Sequence, residues 1–310
     1  MKSMNKTRLF LLLTFGISFS LAGIFKLLAG DTQAGKTMFM LLGIVYMFVP
    51  TIAVLIIKKV ICKEELKRDL FISFKFNRWF LVAWFITPLL AFCTIPVSVW
   101  LFSDVSYSSV MRGVLSRYQE IMTPQQLGEI QKALESLPFS PVWLMLLQAL
   151  IAGVTVNAIA GFGEELGWRG FLLREFSDMH FLRASVLIGF IWGIWHTPLI
   201  LMGHNYPQHP EIGVLMMTVW CILLSILFTY ITIKSGSVIA ASVMHGTLNA
   251  IAGIAIVLIE GGNDLQVGVT GFAGFLTLAF FLMLIFLYDR FISREGILTS
   301  KISRYIYPVS

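Results

Sequence analysis

Charged residues are scarce in this sequence. Lys, Arg, Asp and Glu make up 13% of the 310 residues, whereas 57% are hydrophobic. Soluble domains usually have about 25% charged residues, so this composition argues against a soluble protein and indicates a membrane protein. The formal net charge of +6 would suggest a nucleic-acid partner in a soluble protein. Here the basic residues lie in loops between apolar segments, so we expect the lipid bilayer, and no nucleic acid, as a partner.

The sequence also has few cysteines and lacks two common hydrolase motifs. Cys62, Cys93 and Cys221 form no CxxC pair, which argues against a disulfide framework and against a cysteine metal site. The chain contains no HExxH zinc motif and no GxSxG motif. No serine or cysteine lies beside a histidine in the context of a catalytic nucleophile. Hydrolytic chemistry would therefore need other residues.

Long apolar segments are abundant. Each is close to the ~20 residues that cross a bilayer as a helix, so we predict an all-α, polytopic membrane protein with about eight transmembrane helices. The first segment follows basic residues, as in a signal peptide, but it is too long for one, and we expect an anchor. The predicted spans are Leu9–Leu28, Thr37–Ile57, Trp79–Phe102, Val142–Phe162, Leu182–Met202, Ile212–Ile233, Ser237–Ile259 and Val267–Phe291.

Basic residues alternate between the loops and predict an orientation. They occur at the N-terminus, densely between residues 58 and 78, and again at 174–183, 234 and 290–304. The intervening loops 203–211 and 260–266 have no Lys or Arg, and the long loop 103–140 has three basic and four acidic residues. Because cytoplasmic loops are enriched in Lys and Arg, we predict that both termini are cytoplasmic. The amphipathic stretch Pro124–Leu137 would lie on the outer surface.

Two adjacent carboxylates follow the fourth apolar run. Glu164 and Glu165 come after a segment with no charged residue, and Arg169 lies four residues beyond Glu165. On a helix, Glu165 and Arg169 share one face, while Glu164 is rotated by roughly 100°. We therefore expect Arg169 to pair with Glu165 and to leave Glu164 free for chemistry. The alternative is a buried ion pair with no function, but ionisable residues inside membranes are usually functional.

Two further spans contain polar residues. His196 lies in the fifth span, and His245 and Asn249 share one helical face in the seventh. Counted from the nearest basic residues at 1.5 Å per residue, Glu164, His196 and His245 lie about 15, 20 and 17 Å deep. The sequence thus predicts a buried polar site between helices four, five and seven.

These residue types suit hydrolysis of an amide in either of two ways. A carboxylate and an imidazole can activate water as general bases, while a second histidine and an amide donate to the oxyanion. Alternatively, Glu164, His196 and His245 could hold Zn²⁺ or another divalent metal that activates water. The residues alone do not choose between these two routes.

Three motifs carry a family resemblance. Glu164-Glu165-x-Gly-Trp-Arg169-Gly, then His196, then His245-x-x-x-Asn249 resemble the CPBP family of intramembrane proteases, which includes the Abi and Rce1-like CAAX proteases. Trp192 occupies the position of the family's usual phenylalanine before His196. The resemblance implies catalytic roles for Glu164 and His196 in activating water and for His245 and Asn249 in stabilising the oxyanion. Glu165 and Arg169 would support the site.

The resemblance also implies an intramembrane endopeptidase of a bacterial cell membrane, with the site open at least in part to the cytoplasm. Its substrate would be a membrane-associated peptide or protein, cleaved in CAAX-type processing or in bacteriocin immunity. We divide the chain into residues 1–141 (N-terminal helices and outer loop), 142–259 (protease-like core) and 260–310 (last helix and tail).

Alternatives to a protease remain. A non-catalytic scaffold or immunity protein of the same fold would need no complete set of catalytic residues. A small-solute transporter would predict inverted repeats, which the sequence lacks. A second metal site at His204 and His209 would have Glu211 as its one further ligand.

Overall fold

The chain is almost entirely helical. The computed structural model describes residues 3–29, 33–66, 70–109 and 123–306. Five of the basic residues that predicted the orientation (positions 2, 67, 68, 112 and 117) lie outside these ranges. The helices are α1 (Ser3–Ala29), α2 (Gln33–Leu55), α3 (Arg78–Leu101), α4 (Pro124–Glu135), α5 (Pro141–Val154), α6 (Val156–Glu175), α7 (Phe181–Trp195), α8 (Thr197–Leu201), α9 (Pro210–Ser235), α10 (Val238–Ile251), α11 (Ile254–Val257), α12 (Phe272–Leu287) and α13 (Ser303–Ile306).

The polytopic all-α architecture is confirmed. In the described part of the chain, six helices are long and apolar enough to span a membrane, and α5 with α6 form a seventh, bent candidate. The remaining predicted span, the fifth (Leu182–Met202), corresponds to α7, which is apolar but shorter. Each predicted segment thus contains a helix, although the last one begins at Phe272 and not at Val267.

Two of the predicted spans are broken for local reasons. The helix of the fourth span bends by 50° between α5 and α6. At this point the Thr155 hydroxyl donates to the Ile151 carbonyl at 2.7 Å, a back-bond that often bends helices. The fifth span is interrupted at His196, just before Pro198 in the first turn of α8, since proline cannot donate a backbone hydrogen bond to a continuing helix. Both breaks lie close to the predicted site.

Helix α10 lies at the centre of the packing. It contacts α3, α5 and α6, and small residues allow these close approaches, as is usual between membrane helices. A Cβ added at Gly246 would lie 2.5 Å from the Ala158 nitrogen and 2.7 Å from the Gly153 oxygen. The α6 backbone therefore touches α10 directly at this position.

We expect Gly246→Ala to destabilise the fold. Overpacking typically costs about 1–3 kcal/mol, and here the obstacle is backbone that cannot move aside as a side chain would. Thermal unfolding in detergent would measure the change. Gly253→Ala is the matched control, because a Cβ there meets no atom within 4 Å. Equal melting temperatures for the two variants would contradict the prediction.

The loops form two opposite faces. On the basic face, Asn77 donates to the Ser235 carbonyl, Ile302 donates to Met179, and Lys234 pairs with Glu295. We define this face by residues 58–66, 70–78, 174–183, 234–237 and 290–304. The opposite face consists of residues 104–109, 203–209 and 259–271, where β1 (Ser106–Tyr107) pairs with β2 (Ile259–Glu260). Helix α9 runs from the opposite face to the basic face over 26 residues, or about 39 Å.

The basic face also holds the start of α1. Lys6 and Lys58 both pair with Glu64, and hydrogen bonds from these two ammonium groups lower the pKa of the Glu64 carboxyl to about 2. The first helix and the loop after α2 are therefore joined by charge at one end of the bundle.

Candidate active site

The structure brings the four predicted catalytic side chains to one cavity. This cavity has a volume of about 480 Å³ and is lined by Glu164, His196, His245 and Asn249, among others. Glu164 comes from α6, His196 from the break between α7 and α8, and the other two from α10. Helices α2 and α9 supply further walls, which the sequence did not predict. The predicted convergence of three spans is observed.

Glu164 is held by two tryptophans. Its side chain is buried, and its Oε2 accepts a hydrogen bond from Trp192 Nε1 at 2.7 Å and a longer one from Trp168 Nε1 at 3.4 Å. Its Oε1 lies 3.9 Å from His245 Nε2. The two donors on Oε2 fix the carboxylate, and Oε1 is directed towards His245 on α10. Glu164 is thus positioned by neutral donors and not by a cation.

Glu165 forms the other half of the predicted division. Arg169 Nη1 lies 3.2 Å from Glu165 Oε1 and 3.1 Å from Oε2, so the expected i, i+4 pair is confirmed. Glu165 Oε1 also lies 2.8 Å from His245 Nδ1. Both residues of the pair are fully buried. The pair therefore orients His245, whose Nε2 then faces Glu164.

Aromatic rings enclose the arginine. The guanidinium of Arg169 lies 4.5 Å from the ring centre of Trp192 and 4.7 Å from that of Phe228. Among the described residues, its Nε and Nη2 have no hydrogen-bond partner, and these ring faces are what surrounds them. Cation–π attraction at desolvated sites is worth about 2 kcal/mol. A π-helical turn, Leu166–Leu172, carries this arginine, and such turns are frequent at functional sites.

His196 is fixed by its own helix. Its Nδ1 lies 2.8 Å from the Trp192 carbonyl oxygen. Since a carbonyl only accepts, Nδ1 carries the proton that it donates, and Nε2 is left as an acceptor in the neutral tautomer. His196 is buried and lines the cavity. Its free ring nitrogen can therefore accept a proton or a hydrogen bond.

Asn249 provides an uncommitted donor. It lies one turn beyond His245 and lines the same cavity, as the i, i+4 spacing predicted. It is exposed within an apolar helix, and its amide makes no hydrogen bond to other residues that the structure describes. An amide in this position can donate into the cavity.

Comparison with known proteins identifies the region that contains these residues. Residues 138–251 match the family model described as Type II CAAX prenyl endopeptidase Rce1-like. We refer to residues 138–251 as the Rce1-like segment because they are similar to this family. The resemblance to the CPBP family, drawn above from three motifs, is confirmed over this segment. A curated relative, CAAX prenyl protease 2 of Methanococcus maripaludis, is 29% identical over 124 residues. The match covers 37% of this chain and 40% of that protein, so the chain spans less than half of the relative's length.

The Rce1-like segment contains every predicted catalytic residue and both supporting residues, but sequence reasoning missed the role of the tryptophans. Trp192 was noted from the sequence only as the residue at the position of the family's usual phenylalanine, yet its Nε1 donates to Glu164 and its carbonyl accepts from His196. The spacing offered a signal, since Trp168 follows Glu164 by four residues and Trp192 precedes His196 by four. Both pairs share a helical face.

The side chains do not form a ready metal site. Within the described ranges, no group of three or more His, Cys, Asp or Glu residues is placed to share a metal ion. Glu164 and His245 approach each other at 3.9 Å, and His196 does not complete a three-ligand set with them. Glu164, His196 and His245 as arranged therefore do not fit the predicted set of metal ligands. The use of a divalent metal by the protein stays a prediction.

The cavity reaches the opposite face and not the basic face. His204, Asn205 and Thr270, from loops of the opposite face, line it together with the catalytic side chains. From the sequence we predict that the basic loops are cytoplasmic and that the site opens at least in part to that side, whereas the cavity extends towards the loops of the opposite face. At the alternative site of His204 and His209, His209 Nδ1 pairs with Asp264 at 2.6 Å and connects two loops of this face.

We expect Trp192→Phe to reduce activity about tenfold or more. The change removes the 2.7 Å donor to Glu164, and a hydrogen bond to a charged group contributes roughly 1.5–3 kcal/mol, while the main-chain bond to His196 remains. Peptide release from membranes would measure the loss. Trp195→Phe is the matched control, because Trp195 Nε1 donates to Ser18 at 2.8 Å and not to Glu164. Equal activity of the Trp192 variant and wild type would contradict this role.

Proposed function

We propose that this protein is an intramembrane endopeptidase that hydrolyses a peptide bond of a membrane-associated protein or peptide. One observation carries the proposal: Glu164, His196, His245 and Asn249 come from three separate predicted spans and line a single cavity. The Rce1-like segment supports a protease role. The name of the curated relative points to CAAX-type processing, and an immunity role is the alternative within the same family.

Water is the nucleophile in the proposed reaction. The Glu164 carboxylate accepts one proton of the water, and His196 Nε2 accepts a hydrogen bond from its other O–H, as the water oxygen attacks the peptide carbonyl carbon. The carbonyl oxygen becomes an oxyanion that accepts hydrogen bonds from the Asn249 amide and from His245 Nε2. An imidazolium at His245 has Glu165 on one nitrogen and Glu164 near the other, which balances its charge. The C–N bond then breaks, and the transferred proton passes to the leaving amine.

Burying a network of ionisable side chains of this kind costs folding free energy. Glu164, Glu165, Arg169 and His245 are each at most 5% exposed, and ionisable groups inside membranes mark functional sites by default. A scaffold could be held by apolar packing alone. It would not need a buried carboxylate whose hydrogen-bond donors are all neutral. Glu164 is such a carboxylate.

The test compares peptides released from membranes that contain wild type, Glu164→Gln or His245→Ala, each with and without a chelator. Peptides that disappear in both variants support hydrolysis. Loss with the chelator that zinc restores assigns the chemistry to a metal, while insensitivity supports Glu/His activation of water. Identical peptide profiles at matched expression would overturn the proposal in favour of a scaffold.

A further inference from the structure

The cavity extends from the catalytic side chains towards the opposite face. On α10, which starts at the basic face, its lining residues begin at His245 and continue to Leu248 and Asn249. On α9, which ends at the basic face, they lie between residues 217 and 224, and no residue of this helix after Leu224 lines the cavity. On α2 they lie between residues 39 and 47, and no residue of this helix after Met47 lines it. The catalytic side chains therefore form the floor of a cavity that extends away from the basic face.

Charge distinguishes the two faces strongly. In the sequence, residues 203–209 and 259–271, at the mouth of the cavity, contain no Lys or Arg. The other face carries Lys58, Lys59, Lys63, Lys75, Arg78, Arg174, Arg183, Lys234, Arg290, Arg294, Lys301 and Arg304. An excess of Lys and Arg marks the cytoplasmic side.

We infer that the cavity opens to the extracytoplasmic side of the membrane and that its substrate is an apolar, uncharged segment of a polypeptide in or beyond the outer leaflet. The part of this inference that concerns the substrate rests on the proposed function. The direction of the opening does not depend on that function. It reverses the cytoplasmic opening expected from the sequence. A cytoplasmic C-terminal motif is then a poor candidate substrate, whereas a secreted or outwardly anchored peptide is a suitable one.

The walls of the cavity favour such a segment. Between mouth and floor they are apolar, with Phe39, Met40, Ile44, Met217 and Val269. Met40 and Ile44 line the cavity, yet their side chains are 65% and 46% exposed. The wall formed by α2 is therefore not covered by other helices at these two residues. A volume of about 480 Å³ is within the usual range for ligand pockets, about 300–1,000 Å³. A short extended apolar peptide matches these dimensions and this polarity.

Thiol labelling tests the direction of the opening without any need for catalysis. The mouth reporter is His204→Cys in a full-length chain with Cys62→Ser and Cys93→Ala, and Cys221 stays in place because it is fully buried. A second mouth-side reporter, Glu211→Cys, lies at the exposed start of α9. Native Cys62, with Cys93→Ala, reports on the basic face. A sulfonated, membrane-impermeant maleimide is added to intact and to permeabilised spheroplasts.

We expect both mouth-side reporters to be labelled in intact spheroplasts and Cys62 to be labelled only after permeabilisation. Labelling of Glu211→Cys only after permeabilisation overturns the inference. Labelling of Glu211→Cys but not His204→Cys in intact cells also overturns it, since the mouth would then be closed on that side. Adding Glu164→Gln to each reporter should leave the pattern unchanged, because labelling reads geometry and not turnover.

The peptides released in a Glu164-dependent manner test the substrate class. Their sequences should come from extracytoplasmic or outer-leaflet segments of their parent proteins. Peptides from cytoplasmic segments would overturn the substrate class while leaving proteolysis intact. Expected labelling with no Glu164-dependent peptide would instead defeat the proposed function alone, so the two failures are distinguishable.

Discussion

Glu164→Gln is expected to lower peptide release by about 10²–10⁴-fold, the usual contribution of a general acid–base residue, while the protein still inserts and folds. The substitution preserves shape, and the Gln oxygen can still accept the hydrogen bonds of Trp192 and Trp168. What disappears is the carboxylate that takes a proton from water. The melting temperature in detergent should therefore stay close to that of wild type while the turnover number collapses.

The control for this experiment is the same chemical change at the surface. Glu129 lies on the exposed side of α4, so Glu129→Gln should leave both turnover and melting temperature unchanged. Full turnover in Glu164→Gln would remove Glu164 from the chemistry. A large fall in melting temperature would show instead that the residue is needed for the fold, and the loss of activity would then have no catalytic meaning.

Arg169→Met is expected to have the largest effect on stability, a loss of about 3–5 kcal/mol. Removing one partner of a buried ion pair leaves the other charge without compensation, which typically costs this much. Here the remaining charge is Glu165, which is fully buried and also holds His245 at 2.8 Å. The variant should lose activity as well, because His245 loses the arrangement that orients it. Unfolding in detergent, followed by helicity, would measure the change.

A double variant separates the ion pair from the packing. Combining Arg169→Met with Glu165→Gln removes both charges, so we expect it to cost less than the sum of the single changes. Arg169→Lys should not restore stability, because an ammonium group cannot reproduce the contacts of the planar guanidinium with the Trp192 and Phe228 rings. A cost below about 1 kcal/mol for Arg169→Met would contradict the buried-pair account.

Substitutions of Glu164 and of Arg169 have different expected effects, although both residues belong to one motif. Glu164 accepts hydrogen bonds from neutral donors and faces the cavity, so its replacement changes chemistry. Arg169 is enclosed by rings and a carboxylate, so its replacement changes the energy of folding. The two neighbouring carboxylates were expected to have different roles on the basis of helical rotation alone, and the structure gives them different partners.

Local spacing predicted much of this protein correctly. The eight apolar runs each contain a helix, the Glu165–Arg169 pair forms, and His245 and Asn249 share a face. These features depend on the helical period and on the length that crosses a bilayer, which are properties of consecutive residues. The sequence therefore determined the membrane class, the helical architecture and the set of residues that meet at the site.

Only the tertiary structure decided which residues of different helices contact one another. The bond from Trp192 to Glu164 joins residues 28 positions apart, and that from His245 to Glu165 joins residues 80 apart. Such contacts depend on which helices pack together and on small residues such as Gly246 that let them approach. The direction of the cavity likewise follows from the bend at Thr155 and the packing of α2, α9 and α10 around it, because open space between helices is set by their mutual arrangement and not by the period of any one of them.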